Sequence, residues 1–159
     1  PPPASQARVG PAFHAWVETR YGQQSLLDLD DLPGAGDDSI ISDEQLIALR
    51  EAFERSVYAG RVPVAVEVPF TLALGGRVLR GRIDAVFADG DRFEVVDWKT
   101  GSSASTDLLQ LAIYRLAWAN LRGVPTDQVD AAFVLVATGE VIRPDDLPDA
   151  SQLAQALAQ

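Results

Sequence analysis

Glu94-Val95-Val96-Asp97-Trp98-Lys99-Thr100-Gly101 is the stretch on which the fold turns. It reads as a short apolar strand that ends in a carboxylate and an amine two residues apart. Side chains alternate faces along a strand, so Asp97 and Lys99 share one face while Val96 and Trp98 take the other. Lys99 is the only lysine in the chain, and the other twelve basic residues are arginines. An Asp-x-Lys triplet alone is a weak signal. It reads more readily as an exposed ion pair than as half an active site, because charged pairs on half-solvated strands are common.

Working back from it, the chain alternates with period two. Val62 to Leu74 reads as a strand, with Pro63 and Pro69 suiting an edge. Gly75-Gly76 is a hairpin turn, and Arg77 to Ala88 returns as a second strand. The next turn, Asp89-Gly90-Asp91, sets the register of the strand at 92–99. If Asp89 pairs with Arg92 across a two-residue Gly90-Asp91 turn, Asp84 lies opposite Asp97 on the same face. A three-residue turn would place Asp84 opposite Val96 and separate the two carboxylates. We expect the shared face. Gly81, within the second strand, points to a bend or to close approach of another group.

Further out, helical periodicity takes over. Pro1 to about Gly10 is expected to be a flexible or linker-like lead-in, with Pro11 in the first turn of a helix that runs to Tyr21. Phe13, Trp16, Val17 and Tyr21 form one face, and His14 and Glu18 lie four apart on the neighbouring one. A lone helix histidine is more often a packing residue than a ligand. Ser42-Asp43-Glu44-Gln45 reads as a capping box, followed by an apolar stripe of Leu46, Leu49, Ala52, Phe53 and Val57 that reaches Gly60. Asp107 to about Arg122 is an amphipathic helix carrying Gln110 and Tyr114 four apart. Ala131 to Ala137 is a buried strand, Val141 to Arg143 a short one, and Ser151 to Gln159 a terminal helix. The order predicts an α/β layered domain with a mixed sheet.

Composition bounds the function. The 159 residues suffice for one domain with a real core. No apolar run approaches the ~18 residues of a membrane span, and no cleavable signal pattern is visible. Zero cysteines exclude a disulfide framework, a thiolate zinc site and a cysteine-ligated iron–sulfur cluster. The absence of methionine and the Pro-Pro-Pro opening favour a domain excised from a longer protein, with a tag scar or a removed signal as alternatives. A net charge of −10 argues against a free-standing nucleic-acid binder. The charge is uneven. Asp28, Asp30, Asp31, Asp37 and Asp38 crowd one loop, whereas residues 61–82 hold Arg61, Arg77, Arg80 and Arg82 against Glu67 alone.

The ordered set Gly10-x-x-x-His14, Gly81-x-Ile83-Asp84, Asp97-x-Lys99-Thr100-Gly101 and Gln110-x-x-x-Tyr114 resembles the RecB-family nucleases of the PD-(D/E)xK superfamily, from about Gly10 to Phe133. The longer text Gly81-Arg-Ile-Asp-Ala-Val-Phe, Val95-Val-Asp-Trp-Lys-Thr-Gly and Gln110-Leu-Ala-Ile-Tyr-Arg looks like the C-terminal nuclease module of AdnAB-type helicase–nucleases. The missing cysteines are similar to that subgroup, which has no iron–sulfur cluster. Two departures are Ile83, where the family often has proline, and a short loop from Gly101 to Gln110.

The resemblance implies a restriction-endonuclease-like fold over residues 10–159, with 1–9 as lead-in. It implies Mg²⁺ or Mn²⁺ held by Asp84, Asp97, the backbone carbonyl of Trp98, and His14, whose imidazole tilts the site toward Mn²⁺. Lys99 would orient or deprotonate the attacking water, and Gln110 and Tyr114 would position the site's edge or a DNA phosphate. Glu67 and Glu18 stand as carboxylates behind the ligands; Glu67 could also serve a second metal or simply the surface. The implied function is metal-dependent phosphodiester hydrolysis of DNA single strands, fed by a helicase motor in the same chain and processed with a partner subunit at broken ends. The setting would be the bacterial cytoplasm, at the nucleoid, away from membranes. A nuclease fold without catalysis, acting as a DNA-channel or docking surface, is the alternative, and an unrelated acidic interaction domain is a third.

Overall fold

The computed structural model describes residues 4–25, 44–101 and 107–158. The loop at 26–43 with the expected Ser42-Asp43 cap, and the loop at 102–106, lie outside the described residues. The chain divides into two compact units: residues 1–62, 99–104 and 135–139 form one, and 63–98, 105–134 and 140–159 the other.

The first unit is built on α1 (Ala4–Ser25) and α2 (Glu44–Glu54). Val9, Phe13, Val17 and Tyr21 recur every four residues on α1 and are all buried. The rings of Phe13, Trp16 and Tyr21 meet Phe53 of α2 edge-on, with centroids 6.1, 5.7 and 5.9 Å apart. Burial raises the Tyr21 phenol well above its ordinary value, so its hydroxyl stays a donor, here to the Tyr58 carbonyl at 2.8 Å. Two expectations need correction. α1 begins at Ala4 and carries Pro11 in its interior, where proline forfeits one backbone hydrogen bond without ending the helix. α2 stops at Glu54 rather than Gly60, and Val57 is 70% exposed. The Phe53 carbonyl takes both the Ser56 amide and the Ser56 hydroxyl, which turns the chain into a 3₁₀ turn at Val57–Gly60.

The second unit holds nearly all of a five-stranded sheet of order β1-β2-β3-β4-β5: Ala65–Leu74, Arg77–Asp89, Arg92–Lys99, Val129–Leu135 and Glu140–Ile142. β1, β2 and β3 form the expected antiparallel meander. Its first turn needs both glycines, with φ of +59° at Gly75 and +76° at Gly76. A Cβ on Gly75 would also lie 2.8 Å from the Ala154 carbonyl, because α4 (Ala150–Leu157) docks against this turn.

From β3 the chain crosses through α3 (Leu108–Arg122) to β4. The strand starts are joined by Arg92–Asp130 at 2.8 Å and the strand ends by the Val136 amide on the Lys99 carbonyl at 3.0 Å. Start beside start and end beside end makes the pair parallel, and the sheet mixed as expected. α3 is capped by the Asp107 carboxylate on the Leu109 and Gln110 amides and closed by Gly123 in the left-handed region. Its buried face of Leu111, Ala112, Leu116 and Ala119 packs with Phe70, Leu72, Ile83, Val86 and Val95 of the sheet. No helix among the described residues is long and apolar enough to cross a membrane.

Candidate metal centre

The second turn of the meander is the two-residue one. Asp89 pairs with Arg92, and the register continues through Phe87–Glu94 and Val86–Val95 to Ala85–Val96. The next row is therefore Asp84 opposite Asp97, as the shared-face expectation required. On the other side of β2, Val66 pairs with Ala85 and Val68 with Ile83, which leaves Glu67 opposite Asp84. Three carboxylates thus lie in one row across three strands, Glu67, Asp84 and Asp97.

The row sits at an irregularity of the pleat. Ala65 and Val68 both pack on the core under α3, although an odd separation should send them to opposite faces; so do Ile83 and Val86. Both strands therefore lose one beat of alternation between these residues. On β1 the cause is visible: Glu67 has φ +47°, the one non-glycine residue with positive φ among those described. The result brings consecutive residues, Glu67 with Val68 and Ile83 with Asp84, onto the α3 side. β1 is an edge strand, so Glu67 takes this conformation where the ladder is open on one side.

Among the described residues, the buried charged side chains are Asp84 and Asp97, 8% and 5% exposed. Asp84 is fixed by the Trp98 amide, which donates to its Oδ2 at 2.8 Å. A charge-assisted hydrogen bond of this kind is worth about 1.5–3 kcal/mol, and it continues the β2–β3 connection one row past the last backbone pair. Trp98 itself turns to the opposite face, its ring centroid 6.4 Å from that of Phe87. Gly81 also finds its reason: Phe70 faces it across the hairpin, and a Cβ there would lie 2.8 Å from the ring.

α3 supplies the polar lid of the row. The Gln110 amide nitrogen donates to the Tyr114 hydroxyl at 3.0 Å, as the spacing of four predicted, and the Tyr114 ring sits edge-on to Phe70. The Tyr114 phenol is pushed up to about 12, first by burial and then by the charges of Asp97, Asp84 and Glu67, in that order. All three members of the row therefore act on one hydroxyl. That hydroxyl is neutral at physiological pH and can donate.

Glu67 and Asp84 offer carboxylate oxygens within 4.8 Å of each other. Hard oxygen donors crowded at this spacing suit Mg²⁺, Mn²⁺ or Ca²⁺, whose bonds to oxygen run about 2.0–2.6 Å. The donor set fits a divalent cation. Glu67 is the residue that sequence reasoning underrated, and the signal was available: it is the lone carboxylate between Arg61 and Asp84.

The other expected residues, Lys99, His14 and Glu18, fall in the first unit. Lys99 ends β3 on the Asp97 side of the strand and is half-buried. His14 is half-buried on α1, one turn after Gly10, and Gly10 packs close to Thr100, its Cβ position 3.3 Å from Oγ1. The glycine of Gly-x-x-x-His is what lets α1 approach the segment that follows Lys99. Glu18, one turn further, is exposed.

Eighty residues are 35% and 36% identical to the Gene 69 proteins of Mycobacterium phages D29 and L5, covering 50% of this chain but only 29% and 27% of theirs. The fold is similar to that of a crystallised protein from Eubacterium rectale, provisionally called an exonuclease, with a TM-score of 0.57 and 16% identity over 99% of this chain and 64% of that one. A family model for the PD-(D/E)XK nuclease superfamily matches residues 1–159. The chain belongs to the PD-(D/E)XK nuclease superfamily.

Proposed function

We propose that this chain is a divalent-metal-dependent deoxyribonuclease domain, closest in kind to the RecB-family modules of AdnAB-type helicase–nucleases. The observation that carries the reading is the Glu67–Asp84–Asp97 row, set into an irregular stretch of sheet beneath Tyr114. Asp84 and Glu67 would hold Mg²⁺ or Mn²⁺, with Asp97 and the Trp98 carbonyl at its edge and His14 as the further ligand that the resemblance implies. The ion, when bound, supplies Lewis-acid activation of the phosphate and of water.

The protein's own groups do the rest. Lys99 orients the attacking water, takes its proton or steadies the charge that develops on the phosphoryl oxygens. As the water oxygen bonds to phosphorus, one bridging P–O bond breaks and the departing oxygen takes a proton from solvent. Tyr114, neutral and held by Gln110, donates to a phosphate oxygen or to the backbone at the site's edge. The substrate is a single DNA strand delivered by a motor domain, which explains why a chain of charge −10 need not grip long DNA by itself. We place this work at double-strand breaks in the bacterial cytoplasm, with a partner subunit.

The test is cleavage of single-stranded DNA with Mg²⁺, with Mn²⁺ and with EDTA, by the wild-type chain and by Asp97→Ala. Because the chain spans a minor part of its phage relatives, a version fused to a helicase motor belongs in the same experiment. Metal-dependent cleavage lost in Asp97→Ala supports the reading; cleavage that survives the substitution sinks it.

A further inference from the structure

The arginines differ in what engages them. Arg20, Arg92, Arg115 and Arg143 are tied to Glu54, Asp130, the Val129 carbonyl and Glu94. Arg77, Arg80 and Arg82 on β2 are exposed and bond to no other described residue. Beyond the irregularity at Glu67 and Asp84, the β1–β2 ribbon alternates cleanly. Phe70, Leu72, Leu79 and Ile83 pack on the core, while Thr71, Val78, Arg80 and Arg82 occupy the other, open face. Arg80 stands directly across from Thr71, and Arg82 from Pro69. Among the described residues of the ribbon from Val68 to Ile83 no carboxylate shares this face, although the whole chain is strongly acidic.

We infer that this open face of the β1–β2 ribbon is a track for the phosphate backbone of a nucleic-acid strand, with Arg80 and Arg82 on successive phosphates and the Thr71 hydroxyl as an added donor. The guanidinium groups are about 6.7 Å apart at their roots, two strand residues, and each offers the planar fork that pairs with phosphate oxygens. Charge complementarity selects this occupant: forks on a flat, solvated ribbon suit a repeating anion. The face lies away from α3, so a strand held there reaches the acidic row over the open edge of β1, where Glu67 is the outermost carboxylate. The inference rests on the nuclease reading for its substrate, but its test does not depend on cleavage.

The experiment measures binding of a fluorescent oligothymidylate to the Asp97→Ala chain in Mg²⁺, across a salt series, with and without Arg80→Gln/Arg82→Gln. The double substitution should weaken binding ~10-fold and flatten the log–log salt slope by about 1.4, ~0.7 for each single-strand phosphate left without its arginine. Arg55→Gln, which removes an exposed charge elsewhere, should change neither. Hydrolysis of a small p-nitrophenyl phosphodiester by the otherwise wild-type chain should be unchanged by the double substitution. Unaltered oligonucleotide affinity and slope overturn the track, including the case in which an acidic protein segment is the true occupant. Absent diester hydrolysis with intact, arginine-dependent binding would count against the nuclease reading alone.

Discussion

The molecule treats its carboxylates in two ways. At the periphery three are paired with an arginine: Glu54 with Arg20, Asp130 with Arg92, and Glu94 with Arg143. In the middle of the sheet, Glu67, Asp84 and Asp97 are lined up in one row, and Asp84 accepts from a backbone amide. The outer pairs are solvated on at least one side and worth about 0–1 kcal/mol each. The inner row places three carboxylates side by side, and the strain of a positive φ at Glu67 comes with it. Carboxylates crowded beside a tyrosine whose phenol is raised by burial and then by their charges are an arrangement that a bound cation would favour. The outer carboxylates are paired at the surface, and the inner ones form the candidate site.

That division can be broken at either end. Asp84→Asn and Asp97→Asn should each reduce metal-dependent DNA cleavage by roughly 10³-fold or more. The metal-free melting temperature should fall only slightly, because the amide keeps the shape and its oxygen can still accept from Trp98. A fall large enough to account for the lost activity by unfolding would make the row structural. Mn²⁺ at ~100 times its dissociation constant should stabilise the wild-type chain by about 2.7 kcal/mol, visible in a thermal melt, and should leave Asp84→Asn unmoved. Tyr114→Phe should slow cleavage about tenfold, the contribution of one neutral hydrogen bond. It should also change the alkaline limb of stability. The unfolded phenol ionises near 10.0 and the folded one near 12, so the folded state keeps its proton longer. The wild-type chain therefore loses stability as pH rises from 10 to 12, and Tyr114→Phe should flatten that limb. Last, Arg92→Ala should cost about 0.2–1 kcal/mol in chemical denaturation and leave cleavage unchanged.

Much of this was legible in the sequence, for a local reason. Glycines at 75, 76 and 90 specify tight turns, and a turn of known length fixes which residues oppose each other. That is how Asp84 could be set against Asp97. Gln110 and Tyr114 followed from helical spacing, which their hydrogen bond bears out. Glu67 was harder to place because strict alternation assigns it to the wrong face, and nothing in a period-two pattern announces a lost beat. The start of α1 misled because Pro11 favours a first turn while Ala4 to Val9 carry the helix through it. Val57 misled because its helical spacing outlasted the helix, which Ser56 ends.

The central claim, that the inner row is a metal site, is tested most directly by a crystal soaked in Mn²⁺ and measured at its absorption edge. The account predicts an anomalous peak within bonding distance of Asp84 and Glu67, weaker or gone in Asp84→Asn. A peak confined to the outer carboxylates, or none at the row, would contradict it.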